Sequence, residues 1–182
     1  VSIKPDGLQF IVSASYSDTG GATDSGEVYV YTQNNGLFST TPQIIKSPSR
    51  ELSERFGSSV AFSDENLFVT SLNGDQKIPT TFDGTSVGNV TANTTFDNGF
   101  TDFSNIKIDK GVVYVYESVN NSLVYSEQFV YPLTQTTFGE NIYANDNHVY
   151  IGMPDQFNNS TKGQLLDFRK NKKYFRKWER YK

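Results

Sequence analysis

Phe56-Gly57-Ser58-Ser59-Val60-Ala61-Phe62, a short polar turn and Asn66-Leu67-Phe68-Val69-Thr70-Ser71 form the stretch on which the fold turns, because its pattern returns between Phe138-Gly139 and Met153. The two copies align without gaps over eighteen positions, matching Val60 with Ile142, Asp64 with Asp146, Leu67 with Val149 and Val69 with Ile151. A partial third copy opens the chain at Val12-Ser13-Ala14. Each copy runs on to a segment that begins at a glycine: Gly26-Glu27-Val28-Tyr29-Val30-Tyr31, Gly111-Val112-Val113-Tyr114-Val115-Tyr116 and Gly163-Gln164-Leu165-Leu166-Asp167-Phe168. Self-similarity in a fixed order predicts an array of like units.

Within a copy the apolar residues alternate. Ser59-Val60-Ala61-Phe62 and Asn66-Leu67-Phe68-Val69-Thr70-Ser71, separated by Ser63-Asp64-Glu65, predict a tight antiparallel hairpin. The segment after each glycine places Val on one face and Tyr on the other if it is a strand. Gln33-Asn34-Asn35-Gly36 and Val119-Asn120-Asn121-Ser122 then supply residues that tolerate the positive φ of hairpin turns and lead into a fourth strand. Four short antiparallel strands per copy predict one propeller blade.

The expected fold class is therefore all-β, an incomplete β-propeller of two to three four-stranded antiparallel blades. Residues 1–55 form a truncated blade without its opening strand, 56–137 a complete blade, and 138–182 a third blade with a basic outer strand. Thirty-nine residues separate Ser71 from Gly111, against 11 between Ala14 and Gly26 and nine between Met153 and Gly163. A long inserted loop at about 73–110, rich in Thr, Asn, Gly and Phe, accounts for the difference and reads as a surface loop or small hairpin. Three copies, one truncated, do not close a ring of four to eight blades, so the chain reads as a segment of a larger propeller.

Composition agrees with strands: 11 Tyr, 14 Phe and 14 Gly stand against a single Met among 182 residues. Without Cys there is no disulfide, thiol nucleophile or thiolate metal site, and the one His, His148, excludes a multi-His centre. No apolar run reaches the ~18 residues of a membrane-spanning helix.

The order Phe-Gly, alternating strand, turn, Val-x-Val strand, polar loop and Gly-x-Val-Tyr-Val-Tyr resembles the FG-GAP repeat family of β-propellers in its bacterial and viral form. That resemblance implies that Phe56, Gly57, Phe138, Gly139, Gly26, Gly111 and Gly163 are structural repeat residues, with Phe56 and Phe138 inserted between neighbouring blades. The family's Gly-Ala-Pro triplet reads Thr70-Ser71-Leu72 in the second copy and Gly152-Met153-Pro154 in the third. Some members hold calcium between the first two strands of a blade. Here Ser63-Asp64-Glu65-Asn66 and Ala144-Asn145-Asp146-Asn147 are too short to supply six to eight oxygens, so no metal or other cofactor is expected. The Cys-free, Asn/Thr/Tyr/Phe-rich composition also resembles structural proteins of tailed phages that carry such repeats.

No nucleophile–His–acid set or phosphate-binding glycine loop is present, so no catalytic residue is expected. Charge is the remaining signal. Residues 1–168 carry eight basic against nineteen acidic side chains, a balance of −11, whereas residues 169–182 carry eight against one, a balance of +7. Within that terminal run Arg169, Lys170, Lys172, Lys173, Arg176, Lys177, Trp178 and Arg180 are candidate partner-docking residues. The repeat places the run on an outer strand, where lysines oppose unwanted edge pairing. Expected partners are the remaining blades of the same polypeptide or the subunits of an assembly, with an acidic protein or a glycan receptor as further candidates and nucleic acid disfavoured. The sequence thus predicts a non-enzymatic structural or adhesion module, virion-borne or extracellular, favoured as a tailed-phage tail, baseplate or fibre component. The alternatives are a cell-surface adhesion propeller and an enzyme whose active site lies in other blades.

Overall fold

The computed structural model of the chain describes residues 1–18, 22–49, 51–74, 76–77, 89–91, 106–107, 111–120, 122–130, 138–154, 163–171 and 177–180. Every regular element among them is a β-strand, and all the pairings are antiparallel. Three main sheets succeed one another along the chain and do not close on themselves.

The first sheet holds β1 (Ser2–Ile3), β2 (Gln9–Ala14), β3 (Glu27–Asn34), β4 (Leu37–Phe38) and β5 (Gln43–Lys46). β1, β2 and β3 lie side by side, and β4 and β5 share the far edge of β3. The second sheet comprises β6 (Phe56–Phe62) and β7 (Asn66–Ser71), then, after the short pair β8 (Gln76–Lys77) and β10 (Ile106–Lys107), the strands β11 (Val112–Val119) and β12 (Ser122–Phe129). β9 (Asn89–Thr91) completes it. The third sheet is β13 (Asn141–Ala144), β14 (His148–Met153), β15 (Gln164–Asn171) and β16 (Lys177–Arg180), paired in that order.

Two expectations need correction. The first copy does have an opening strand, because Ser2 and Ile3 pair with Ile11 and Phe10. The second sheet has five strands rather than four, since Asn89–Thr91 from inside the insertion pairs with Phe129, Gln128 and Glu127 along the open edge of β12. An unpaired edge offers free N–H and C=O groups, and the insertion supplies partners for them.

The core explains why the sheets lie in series. Ile11, Val28, Val30 and Ile45 of the first sheet pack with Phe56, Leu67, Val69, Tyr114 and Tyr116. On the opposite face of the second sheet, Phe68, Val113, Val115 and Phe129 pack with Phe138, Val149, Ile151, Leu166 and Phe168. Successive residues of a strand point to opposite faces, so β11 buries Val112, Tyr114 and Tyr116 toward the first sheet and Val113 and Val115 toward the third. That sandwiching leaves the whole Val112-Val113-Tyr114-Val115-Tyr116 stretch buried, whereas β3 buries its valines and leaves Tyr29 and Tyr31 half-exposed.

Candidate functional site

The two sheet junctions use one joint. At the first, Phe56 is fully buried between the sheets, and Gly26, with φ +79°, sits against its backbone. A Cβ on Gly26 would lie 2.2 Å from the Phe56 carbonyl oxygen. At the second, Phe138 is buried and Gly111, with φ +80°, would place a Cβ 2.1 Å from the Phe138 carbonyl oxygen. No side chain fits that approach, and the positive φ disfavours L-residues independently. The next residue also repeats its contacts: Gly57 rests on Val28 and Gly139 on the equivalent Val113. Gly163 occupies the same place on the third sheet, and it is exposed.

Between first and second sheets lies a polar centre that nothing in the sequence signals. Glu54 is fully buried and its Oε1 accepts hydrogen bonds from the hydroxyls of Ser47, Ser49, Ser71 and Tyr114, at 2.5, 2.9, 2.8 and 3.0 Å; Oε2 accepts from the Glu51 backbone N–H at 3.0 Å. Burial, reinforced by the Glu54 charge, pushes the Tyr114 phenol well above the usual tyrosine range, so it stays a donor. Loop 51–55 is fixed by main-chain bonds from Ser53, Arg55 and Phe56 N–H to the carbonyls of Thr23, Asp24 and Ser25. The carboxylate is used up in joining the two sheets.

The outer faces of the first and third sheets differ in chemistry. On the first, Phe10 stacks on Tyr31 at 4.7 Å and meets Phe38 edge-on, while Val12, Tyr29 and Ile44 form the adjoining row. The Tyr29 hydroxyl donates to Glu27, which also pairs with Lys46 at 3.7 Å. On the third, Tyr143, Tyr150 and His148 lie in a parallel-ring row, and Asp167 bonds both His148 Nδ1 at 2.9 Å and Arg169 Nε at 3.0 Å. Partial burial tends to raise the Asp167 carboxyl, but those bonds and charges hold it below the usual carboxylate value.

The basic run is divided by the fold. Arg169 lies on the outer face with Asp167, while Lys170 turns the other way and bonds Glu65 in the β6–β7 turn of the second sheet. Lys177, Trp178 and Arg180 lie on the edge strand β16. Lys172, Lys173 and Arg176 fall outside the described residues, as does most of the 73–110 insertion. Equivalent turns of neighbouring sheets also meet: the Asp64 N–H donates to Asp146 Oδ1 at 3.0 Å. Only the aligned positions of these two acids could have signalled that contact. No helix among the described residues is long and apolar enough to cross a membrane. Compared with known proteins, the chain matches no family model and no curated protein.

Proposed function

We propose that this chain is a non-enzymatic structural module, an arc of FG-GAP-type β-propeller blades belonging to a larger polypeptide or assembly, set in a tailed-phage virion as a tail, baseplate or fibre component. One observation carries the module reading: the Gly26/Phe56-Gly57 joint recurs as Gly111/Phe138-Gly139 with the same φ and the same backbone approach. A joint repeated at aligned residues is what an array extended unit by unit requires. The engagement of Glu54, Asp167 and Lys170 in linking or bracing sheets supports a scaffold over a catalyst. The virion setting rests on the resemblance of repeat and composition.

Peptide mass spectrometry of purified particles tests that setting. Peptides of this chain at the copy number of a structural protein are expected, and their absence from particles overturns the virion assignment while leaving the module to be tested by melting of its junction variants.

A further inference from the structure

Arg55 is used differently from the other cations. Among the described side chains, those of Lys4, Lys46, Arg169 and Lys170 each meet a carboxylate, from Asp6, Glu27, Asp167 and Glu65. That of Arg55 meets none, although residues 1–168 carry nineteen acidic side chains against eight basic ones. Its Nε is buried without a hydrogen-bond partner, and its guanidinium lies over the ring of Tyr16, 5.0 Å from the centroid, with Tyr16 63% exposed. The acids close by in the chain are engaged elsewhere: Glu54 holds its four hydroxyls, and Asp18 Oδ1 accepts from the Asp24 main-chain N–H at 2.9 Å. The backbone fixes the pair. Ser53 and Arg55 have φ of +58° and +56°, and their N–H groups donate to the Thr23 and Asp24 carbonyls in the same β2–β3 connection that carries Tyr16. The repeat asks for neither residue, since Thr137 stands at the place of Arg55 in the third copy and Asn73 at the place of Tyr16 in the second. In the loop of Arg55, Leu52 is 70% exposed.

We propose that Arg55, held over Tyr16 and accompanied by Leu52, docks an acidic peptide segment of a partner protein, the guanidinium donating to one Asp or Glu carboxylate and Leu52 receiving an apolar neighbour of it. A planar guanidinium meets a carboxylate through two parallel N–H···O bonds, and an aromatic ring beneath it keeps that plane ready for the ligand. The acidic body repels polyanions such as nucleic acid, whereas one carboxylate matches one unpaired cation. Exposed Leu52 favours a peptide over a saccharide, whose hydroxyls find no hydrogen bond on it, and Tyr and Arg are the residue types that carry binding energy at protein interfaces. The site is built from loops of the first junction, between the first and second sheets, and so stands whichever units adjoin the outer faces. It is also separate from the basic terminal run.

NMR titration of the full, isotope-labelled chain with a blocked peptide, acetyl-Gly-Asp-Leu-Gly-amide, tests the site at the Arg55 Nε–H and Tyr16 amide signals. Both signals are expected to move. The same peptide with Asn in place of Asp is expected to bind about tenfold more weakly, the loss that accompanies one charge-assisted hydrogen-bonded contact. Arg55→Lys keeps the charge but loses the planar fork, and is expected to weaken binding by a similar factor with an unchanged circular dichroism spectrum. Leu52→Ser is expected to weaken it by a smaller factor. Should Arg55→Lys not fold, Tyr16→Ala takes its place, since it leaves the charge and removes the ring that holds it. A peptide that leaves the two signals unmoved overturns the proposal. So does binding indifferent to the exchange of Asp for Asn, to the Arg55 or Tyr16 variant, or to Leu52→Ser. Tighter binding of glucuronate or of inorganic phosphate than of the peptide overturns it as well, marking a site for a sugar acid or a phosphate.

Discussion

The two internal junctions share a joint and differ in filling. In both, a glycine receives the backbone of a buried Phe-Gly pair. Behind it the first junction gathers four hydroxyls around the Glu54 carboxylate, with Gln43 adding a side-chain bridge to both main-chain groups of Leu123. The second is filled by rings, Phe129 lying flat on Phe168 at 4.7 Å with Phe68 and Phe138 alongside. The joint therefore sets the spacing of the sheets, and the filling is free to vary once that spacing is fixed. Close-packed interiors tolerate exchange of chemistry better than a change of backbone separation.

Breaking the joint should have the largest effect. Gly111→Val puts a branched side chain where even a Cβ lies 2.1 Å from a carbonyl oxygen, at φ +80°. The cost is expected to exceed the ~4–5 kcal/mol that marks exceptional substitutions. Loss of a cooperative thermal transition checks it, and a normal transition would show that the approach of Gly111 to Phe138 does not hold the sheets. Gly26→Val should behave in the same way at the other junction.

Removing the plug comes next. Phe56→Ala and Phe138→Ala each delete a fully buried ring and are expected to cost about 3–5 kcal/mol. Denaturant unfolding of both variants measures whether the costs agree. A large loss at one position and none at the other would end the equivalence of the junctions.

The filling should respond with opposite signs. Glu54→Gln keeps the shape but weakens the acceptor that four hydroxyls share, for an expected loss of about 1–3 kcal/mol. At the second junction the Thr70 hydroxyl is buried with no hydrogen-bond partner among the described residues. Thr70→Val is accordingly expected to be neutral or stabilising by about 1 kcal/mol. Midpoints of chemical unfolding for the two variants, shifted in opposite directions, would establish that one junction is polar by design and the other dry.

The joint was legible in the sequence because it is repeated and because its residues are of rare type: Phe-Gly twice, with a glycine opening each third strand. Glu54 was not legible for the opposite reason. The third copy has Thr136 at the aligned place, so no repetition marks it, and a carboxylate among serines in a loop gives no sign that the loop is buried. Ser2–Ile3 and Asn89–Thr91 escaped because two or three residues are too few to show alternation; their strand state is set by a neighbour's open edge. The division of the terminal basic run was hidden as well, since Arg169 and Lys170 are adjacent in sequence and only the pleat sends them to opposite faces.

The smallest effects distinguish the outer face of the third sheet from the rim where the turns meet, and they differ in sign. Asp167 has a folded-state carboxyl held low despite its partial burial, by bonds from His148 and Arg169. Its contribution to stability is present above the unfolded value of about 3.9 and is lost as pH falls through the lower folded value. Asp64 is the reverse case: side-chain hydrogen bonding between its carboxyl and that of Asp146, distinct from the main-chain bond, is the chief cause that raises it, with desolvation and the Asp146 charge adding to it. There stability is present at low pH and is lost as pH rises through the raised folded value. Asp167→Asn should remove part of the acid-side decline in melting temperature, whereas Asp146→Asn should bring Asp64 back toward its ordinary titration and relieve repulsion near neutral pH. Carbon-detected NMR titration of the carboxyls reads both directly. A titration of Asp64 unmoved by Asp146→Asn would mean that Asp64 and Asp146 do not meet, and that the joint, its filling and the Lys170–Glu65 pair hold the second and third sheets in register.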